Sequence, residues 1–128
     1  MIKYTILGAP VTKKNSQRIL RSGSGRPFIA PSTKYKEYEE AAILQLNPKP
    51  TKPIETPVNV CCVYYMPTRR RVDLTNLLSA TDDILVRAGV LADDHSGILA
   101  AHDGSRVRYS KELPRVVIEI TSLTEDEL

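Results

Sequence analysis

Residues 58 to 89 decide the fold of this 128-residue chain, and they read VNVCCVYYMPTRRRVDLTNLLSATDDILVRAG. The run from Val58 to Met66 is rich in β-branched and aromatic residues, which predicts a β-strand. Pro67 ends that strand, because proline has no backbone N–H to donate within a sheet. Three arginines and Val72 then lead into a segment with a different periodicity.

The segment from Asp73 to Gly89 predicts an amphipathic α-helix. When it is turned by about 100° per residue, its apolar side chains fall within one arc and its polar side chains within the opposite arc. The apolar arc holds Leu74, Leu77, Leu78, Ile84, Leu85 and Ala88, and the polar arc holds Asp73, Asn76, Ser79 and Asp83. Asp73 suits the N-cap or first turn, where the helix dipole favours negative charge. Gly89 suits the left-handed position after the last turn.

The part of the chain before this unit predicts a strand, a long basic segment and a helix. Residues 2 to 7 form the strand. Residues 10 to 33 are polar and basic, which indicates a long loop or a loose hairpin. Ser32 is the expected N-cap of a helix that continues to about Leu46 and ends before a proline-rich segment.

The part of the chain after the helix predicts a turn and two further strands. The turn at Asp93-Asp94-His95 leads to an expected strand pair, Ile98 to Tyr109 and Pro114 to Thr121. The order β-α-β-α-β-β predicts an α+β fold with a mixed sheet and two helices packed on one face of it. A chain of this length has room for a single small domain. We assign residues 1–121 to that domain and residues 122–128 to an acidic C-terminal tail.

The net charge of +3 understates the basic character of the domain. Three acidic residues, at positions 125 to 127, belong to the tail, and without them 18 basic and 12 acidic residues leave a net charge of +6. The basic residues form three groups. These groups are Lys13, Lys14, Arg18, Arg21 and Arg26, then Arg69, Arg70 and Arg71, then Arg106, Arg108, Lys111 and Arg115. Such groups are typical of a polyanion partner, and the alternative is a solvated basic face.

The cysteines and the N-terminus indicate the compartment. Cys61 and Cys62 are adjacent and point to opposite faces of the predicted strand, which disfavours a bond between them. The cysteine and histidine spacing does not indicate zinc, and the N-terminus does not resemble a signal peptide. Apolar runs are shorter than the roughly 20 residues that span a bilayer. We therefore expect a reduced, cytoplasmic protein without a membrane partner.

The aspartates are the candidate metal ligands, because Mg²⁺ in a phosphodiester-cleaving site takes hard oxygen donors, typically one or two carboxylates. In a continuous helix, a rise of about 1.5 Å per residue separates Asp73 from Asp83 by about 15 Å, too far to share one ion. The five residues after Gly89 span up to about 17 Å, which is enough to bring Asp94 back towards Asp73. We favour Asp73 with Asp94, with Asp93 as a further member. A dimer partner is an alternative source of one of them.

Three fragments in a fixed order resemble the RusA family of Holliday junction resolvases, as found in phages and prophages. They are Gly8-Ala-Pro followed by Lys13, Lys14 and Arg18, then Asp73-Leu-Thr-Asn76-Leu-Leu-Ser79, then Ala88-Gly89 followed by Asp93-Asp94. Each fragment alone is a weak signal. The resemblance rests on their order and spacing, and it extends over nearly the whole chain to about Thr121.

The resemblance implies a function and a set of site residues. It implies a homodimeric, Mg²⁺-dependent endodeoxyribonuclease, with Mn²⁺ as a substitute ion, that acts on branched DNA in a bacterial host. Such an enzyme resolves Holliday junctions by symmetric phosphodiester cleavage in DNA recombination and repair. The residues expected to bind metal are Asp73 and Asp94, which act in catalysis with Asp93. The residues expected to bind DNA are Lys13, Lys14, Arg18, Arg69, Arg70, Arg71 and Asn76.

Two positions depart from the family pattern and keep a rival hypothesis open. Thr75 stands where a second aspartate is usual, and Ser79 stands where a lysine often stabilises phosphate charge. Removing a cation from a developing negative charge costs several kcal/mol of barrier. The rival is a catalytically impaired junction-binding or DNA-binding protein of the same fold, and a protein-interaction domain is a third alternative.

Each candidate residue also has an ordinary structural interpretation. Asp73 can be a simple N-cap, and Asp93-Asp94 can be a simple turn. We expect Asp82 and Asp83 to be solvated helix residues rather than ligands. Neither of the two histidines, His95 and His102, is expected to be catalytic.

Overall fold

The computed structural model gives an α+β architecture over the residues it describes, which are 1–13, 17–21, 23, 25–31 and 33–128. For residues 17–21 and 27–31 it describes the backbone alone. The elements are β1 (Ile2–Leu7), β2 (Gln17–Arg21), β3 (Pro27–Pro31), α1 (Thr33–Gln45), β4 (Val58–Met66), α2 (Leu74–Arg87), β5 (Leu99–Ala101), β6 (Arg106–Tyr109) and β7 (Arg115–Ser122). The predicted fold class is confirmed. The basic segment adds an antiparallel hairpin, β2–β3, before α1.

Strand β4 is the centre of a mixed five-stranded sheet. β7 pairs antiparallel with β4, from Val58 opposite Ser122 to Tyr65 opposite Arg115. β1 pairs antiparallel with the far side of β7. β5 and β6 both pair with the other side of β4 and run parallel to it.

The expected single strand from Ile98 to Tyr109, paired with the strand that follows it, is wrong. Two short strands occupy this segment, and the turn between them includes Gly104 at a φ of +86°. Asn59 holds the turn: Asp103 N donates to Asn59 Oδ1 (2.7 Å), and Asn59 Nδ2 donates to Asp103 O (3.2 Å). Both strands are parallel to β4 because α2 returns the chain to the start of that strand, as a parallel connection requires. β4 therefore lies between them and β7.

One face of the sheet is the hydrophobic core, and the two helices cover it. Alternate residues of β4 are buried on this face, and so are alternate residues of β7; they are Val58, Val60, Cys62, Tyr64, Val116, Ile118 and Ile120. From α1, Ala42 packs against them, and from α2, Leu77, Ile84 and Leu85 do so. Cys61 points to the opposite face and both cysteines are free, as predicted.

Helix α2 begins and ends where the sequence predicts. Asp73 is its N-cap and accepts a hydrogen bond from Thr75 N (3.1 Å). Gly89 follows its last turn with a φ of +79°. For α1, the expected N-cap Ser32 lies outside the described residues. No helix in the part of the chain that the structure describes is long and apolar enough to cross a membrane.

Candidate active site

The first turn of α2 holds the carboxylate of Asp73 in a fixed orientation. Asp73 Oδ1 accepts two hydrogen bonds from Thr75, one from its backbone N (3.1 Å) and one from its hydroxyl Oγ1 (2.7 Å). Both residues are exposed. Thr75 therefore orients the carboxylate of Asp73.

Thr75 and Asp94 line one cavity of about 260 Å³, which we call the Asp94 cavity. Its other lining residues come from the same side of α2 and from the turn after β5; they are Leu78, Ser79, Asp82 and His102. Asp73 does not line it, but its hydrogen-bond partner Thr75 does. The segment after α2 thus returns Asp94 to the N-terminal half of that helix. The chain-length argument predicts a return towards Asp73, and metal binding by Asp73 and Asp94 together stays a prediction.

A partly buried pair, Asp82 and His102, forms part of the wall of the Asp94 cavity. His102 Nε2 lies 3.0 Å from Asp82 Oδ2, and His102 Nδ1 lies 2.7 Å from Val60 O. A carboxylate and a carbonyl oxygen both accept hydrogen bonds, so this arrangement favours an imidazole that is protonated on both ring nitrogens. Side-chain exposure is 22% for His102 and 17% for Asp82. The expectation that Asp82 is solvated is wrong.

The protonation of this pair follows from its surroundings. Burial lowers the pKa of His102, but the hydrogen bond and charge of Asp82, together with the Val60 carbonyl, outweigh burial and leave the pKa above its ordinary value of 6.5. Burial raises the pKa of Asp82 above 3.8, and the charges of Asp94 and Asp83 raise it further, whereas His102 opposes the rise. Asp82 Oδ1 is buried and has no hydrogen-bond partner among the described residues. The cavity wall therefore carries a histidine whose surroundings favour its charged form, and a carboxylate oxygen without a hydrogen-bond partner among the described residues.

Asp93 faces a different cavity, of about 280 Å³, which Asp94 also borders. Lys13 lies there and forms an ion pair with Asp83, with Nζ to Oδ2 at 2.6 Å. Lys13 Nζ is also 5.7 Å from the centre of the Tyr35 ring. Asp93 Oδ1 accepts a hydrogen bond from Asp94 N (2.8 Å), as in an ordinary aspartate turn. Asp93 and Asp94 therefore have different surroundings. Asp83 forms an ion pair with Lys13, whereas the sequence predicted a solvated residue.

The predicted DNA-binding residues lie in different places. Arg69 stacks on the Tyr109 ring, with Cζ 4.5 Å from its centre, whereas Arg70 and Arg71 line a third cavity. Asn76 is partly buried in the first turns of α2. Lys14 and the side chain of Arg18 lie outside the described residues.

Sequence reasoning missed the pairing of Asp82 with His102. They are twenty residues apart, and the second lies in a turn whose position depends on β5 running parallel to β4. A helix-face analysis alone places Asp82 beside the polar arc, and it gives no partner on another element. The available signal was a histidine directly after an apolar run, and that pattern is weak.

Two comparisons with known proteins found matches over most of the chain. The family model for endodeoxyribonuclease RusA matches residues 8–121. A protein from Aquifex aeolicus (strain VF5), named crossover junction endodeoxyribonuclease RusA, is 30% identical over 112 residues, which cover 87% of this chain and 83% of that protein. The match includes α2 and both cavities that Asp94 borders. The chain belongs to the RusA endodeoxyribonuclease family.

Proposed function

We propose that this protein is a divalent-metal-dependent endodeoxyribonuclease that resolves four-way DNA junctions by two symmetric nicks, in recombination and repair. The observation that carries the proposal is the return of Asp94 to the cavity lined by Thr75, whose hydroxyl holds Asp73. Membership of the RusA family supports nuclease activity, and the name of the Aquifex relative supports a junction as substrate.

The donor set fits Mg²⁺, with Mn²⁺ as a substitute. Mg²⁺ prefers oxygen donors, needs one or two carboxylates and keeps several waters. No group of three or more acidic, histidine or cysteine side chains in the described part of the chain meets the geometry of a metal site. Two carboxylates, Asp73 and Asp94, would hold the ion. When bound, Mg²⁺ would supply a nucleophile from water at neutral pH and neutralise charge on the phosphate.

The protein's own groups would orient and stabilise the reacting phosphate. Thr75 fixes the carboxylate of Asp73, so that little rearrangement is needed on binding. His102 is the cation among the described residues that line the Asp94 cavity. We assign it the charge-stabilising role that the family's lysine has at the position of Ser79, because a fixed cation beside developing negative charge lowers the barrier. Asp82 keeps that imidazolium in place.

DNA would be bound mainly through its backbone. We assign the phosphate contacts to Lys13, Lys14, Arg18, Arg69, Arg70 and Arg71, with Asn76 at the start of α2. The two nicks in a junction are related by a two-fold axis, and a homodimer would place two sites with that symmetry. One metal ligand of each site could then come from the partner. Since its substrate is DNA, we place the protein in the cytoplasm of a bacterial host, encoded by a phage or prophage. We treat residues 122–128 as an acidic tail outside the nuclease domain.

The rival function is junction binding without cleavage. Thr75 and Ser79 favour it, because they remove a carboxylate and a cation from the family pattern. Nicking of a labelled four-way junction and of matched linear duplex, in Mg²⁺, in Mn²⁺ and in a chelator, separates the two functions. We expect paired symmetric nicks in the junction with either ion and none with the chelator. Tight junction binding with no nicks in either ion would establish the rival instead.

A further inference from the structure

A third cavity of about 310 Å³ lies beside Asp73 and away from the Asp94 cavity. It is enclosed by the segment after β1, the start of α1 and the connection from β4 to α2. Pro10, Val11 and Met66 form apolar parts of its wall, and Val72, the residue before Asp73, forms another. Its volume is that of a small-molecule binding site, which ranges over roughly 300–1,000 Å³. We call it the Val11 cavity.

The rim of the Val11 cavity is strongly basic. Lys34, Arg70 and Arg71 line it, and all three are exposed. Among the described residues, none of the three is in an ion pair and no carboxylate lines the cavity. The sequence itself has no aspartate or glutamate before Glu37. The positive charge here is therefore not neutralised from within the neighbouring N-terminal segment.

The arginine triplet explains why two cations face this cavity. Arg69 lies over the Tyr109 ring of β6 and does not line this cavity, whereas the two arginines after it do. Arginine binds phosphate oxygens in a fixed, bidentate geometry. The rim thus matches a phosphate group, and the apolar wall matches a group with little charge.

A nucleotide combines these two chemistries. Enzymes that do chemistry on a base extrude its nucleotide from the stack and hold the base against aromatic or apolar side chains. The Val11 cavity offers the same combination of an apolar wall and phosphate-binding cations. A bare phosphate would leave the Val11 and Met66 wall without a ligand. We propose that the Val11 cavity receives one unstacked nucleotide of the bound strand, next to the scissile phosphate. Its base lies against Val11 and Met66, and its phosphate lies on Lys34, Arg70 and Arg71.

This inference rests on the proposed DNA-cleaving function, and it is tested without cleavage. The chain contains two methionines, Met66 in the cavity wall and Met1, which is 81% exposed. Methyl-¹³C-methionine labelling therefore gives one NMR signal inside the site and one internal control. The full-length protein is titrated with a four-way junction in a chelator, and separately with each deoxynucleoside monophosphate and with inorganic phosphate.

We expect the Met66 signal to move when the junction binds and when a monophosphate is added, because a base ring changes the field at the methyl group. The Met1 signal should not move, and inorganic phosphate should shift the Met66 signal much less than a monophosphate does. Ala9→Leu fills the cavity from an exposed lining position and abolishes the shift. Lys34→Gln weakens junction binding by about fivefold, whereas Lys36→Gln, an exposed lysine of α1 outside the cavity, changes it by less than about twofold.

A Met66 signal that is unmoved at saturating junction, or that moves equally in Ala9→Leu, overturns the proposal. A shift that phosphate alone reproduces in full shows a phosphate site and also overturns it. Failure of the nuclease function is seen separately in the nicking assay. If the Met66 signal moves but no nicks form, the nucleotide site stands and the nuclease function is overturned. If nicks form but the Met66 signal does not move, the nuclease function stands and the nucleotide site is overturned.

Discussion

At the scale of single residues, the site depends on how a few polar groups are held. The sequence predicted Asp73 both as the N-cap of α2 and as a metal ligand. Its Oδ1 accepts the capping hydrogen bond from Thr75 N. Chain length predicted that Asp94 returns towards Asp73; Asp94 borders the cavity that Thr75 lines, and its role as a metal ligand stays a prediction. The charge of His102 could not be predicted, because it depends on Val60 O and Asp82, which only the folded sheet brings to its two ring nitrogens.

The Asp82–His102 pair should stabilise the fold in a pH-dependent way. The folded pKa of His102 lies above its unfolded value of 6.5, so its contribution is fully present below that pH and is lost as pH rises through the raised pKa. We expect the coupling free energy from a double-mutant cycle of Asp82→Asn and His102→Gln, measured by urea unfolding, to be larger at about pH 6 than at about pH 9. Coupling that is constant, or that grows with pH, would contradict the charged state assigned to His102.

At the scale of elements, the sequence predicted α2 and β4 well because their patterns are local and strong. A period of 3.6 and a β-branched run each determine one element without knowledge of its neighbours. The division of the segment after Ile98 into β5 and β6 was not predictable in this way. It depends on Asn59 of β4, whose side chain forms two hydrogen bonds with Asp103 in the turn between β5 and β6.

The end of α2 gives a test of the helix itself. Gly89 has a φ of +79°, and an added Cβ there would meet nothing within 4 Å. Gly89→Ala should therefore lower the free energy of unfolding by about 1 kcal/mol through backbone strain alone. Gly23→Ala is the matched control, since Gly23 also has open space but no positive φ. Equal effects of the two substitutions in urea unfolding would refute this account of the helix end.

At the scale of the whole molecule, the basic groups that composition revealed do not form one uniform surface. Lys13 is paired with Asp83 beside Asp93, Arg69 lies on an aromatic ring of β6, and the arginines after it border the Val11 cavity. Composition predicted a polyanion partner and could not predict this distribution. It depends on which side chains the fold brings beside each basic residue.

Because these basic residues are expected to bind the phosphate backbone of DNA, the affinity for a junction should depend steeply on salt concentration. Each neutralised phosphate releases counterions, so we expect affinity to fall by at least about tenfold between roughly 50 and 200 mM salt. Arg70→Gln and Arg71→Gln should each reduce the slope of log affinity against log salt by about 1, and Lys36→Gln should leave it unchanged. Titrations in a chelator measure this without cleavage. A salt-independent affinity would rule out backbone-dominated binding.

The most direct test of the nuclease site is single-turnover cleavage of a four-way junction in Mg²⁺ by the native protein, Asp73→Asn, Asp94→Asn and Asp126→Asn. Asp126 is exposed in the acidic tail and provides the matched control. Loss of a ligand carboxylate should lower the cleavage rate by at least about 100-fold in the first two variants, with junction affinity within about twofold of native. The control should cleave at the native rate. Native rates in Asp73→Asn and Asp94→Asn would contradict the assignment of the site.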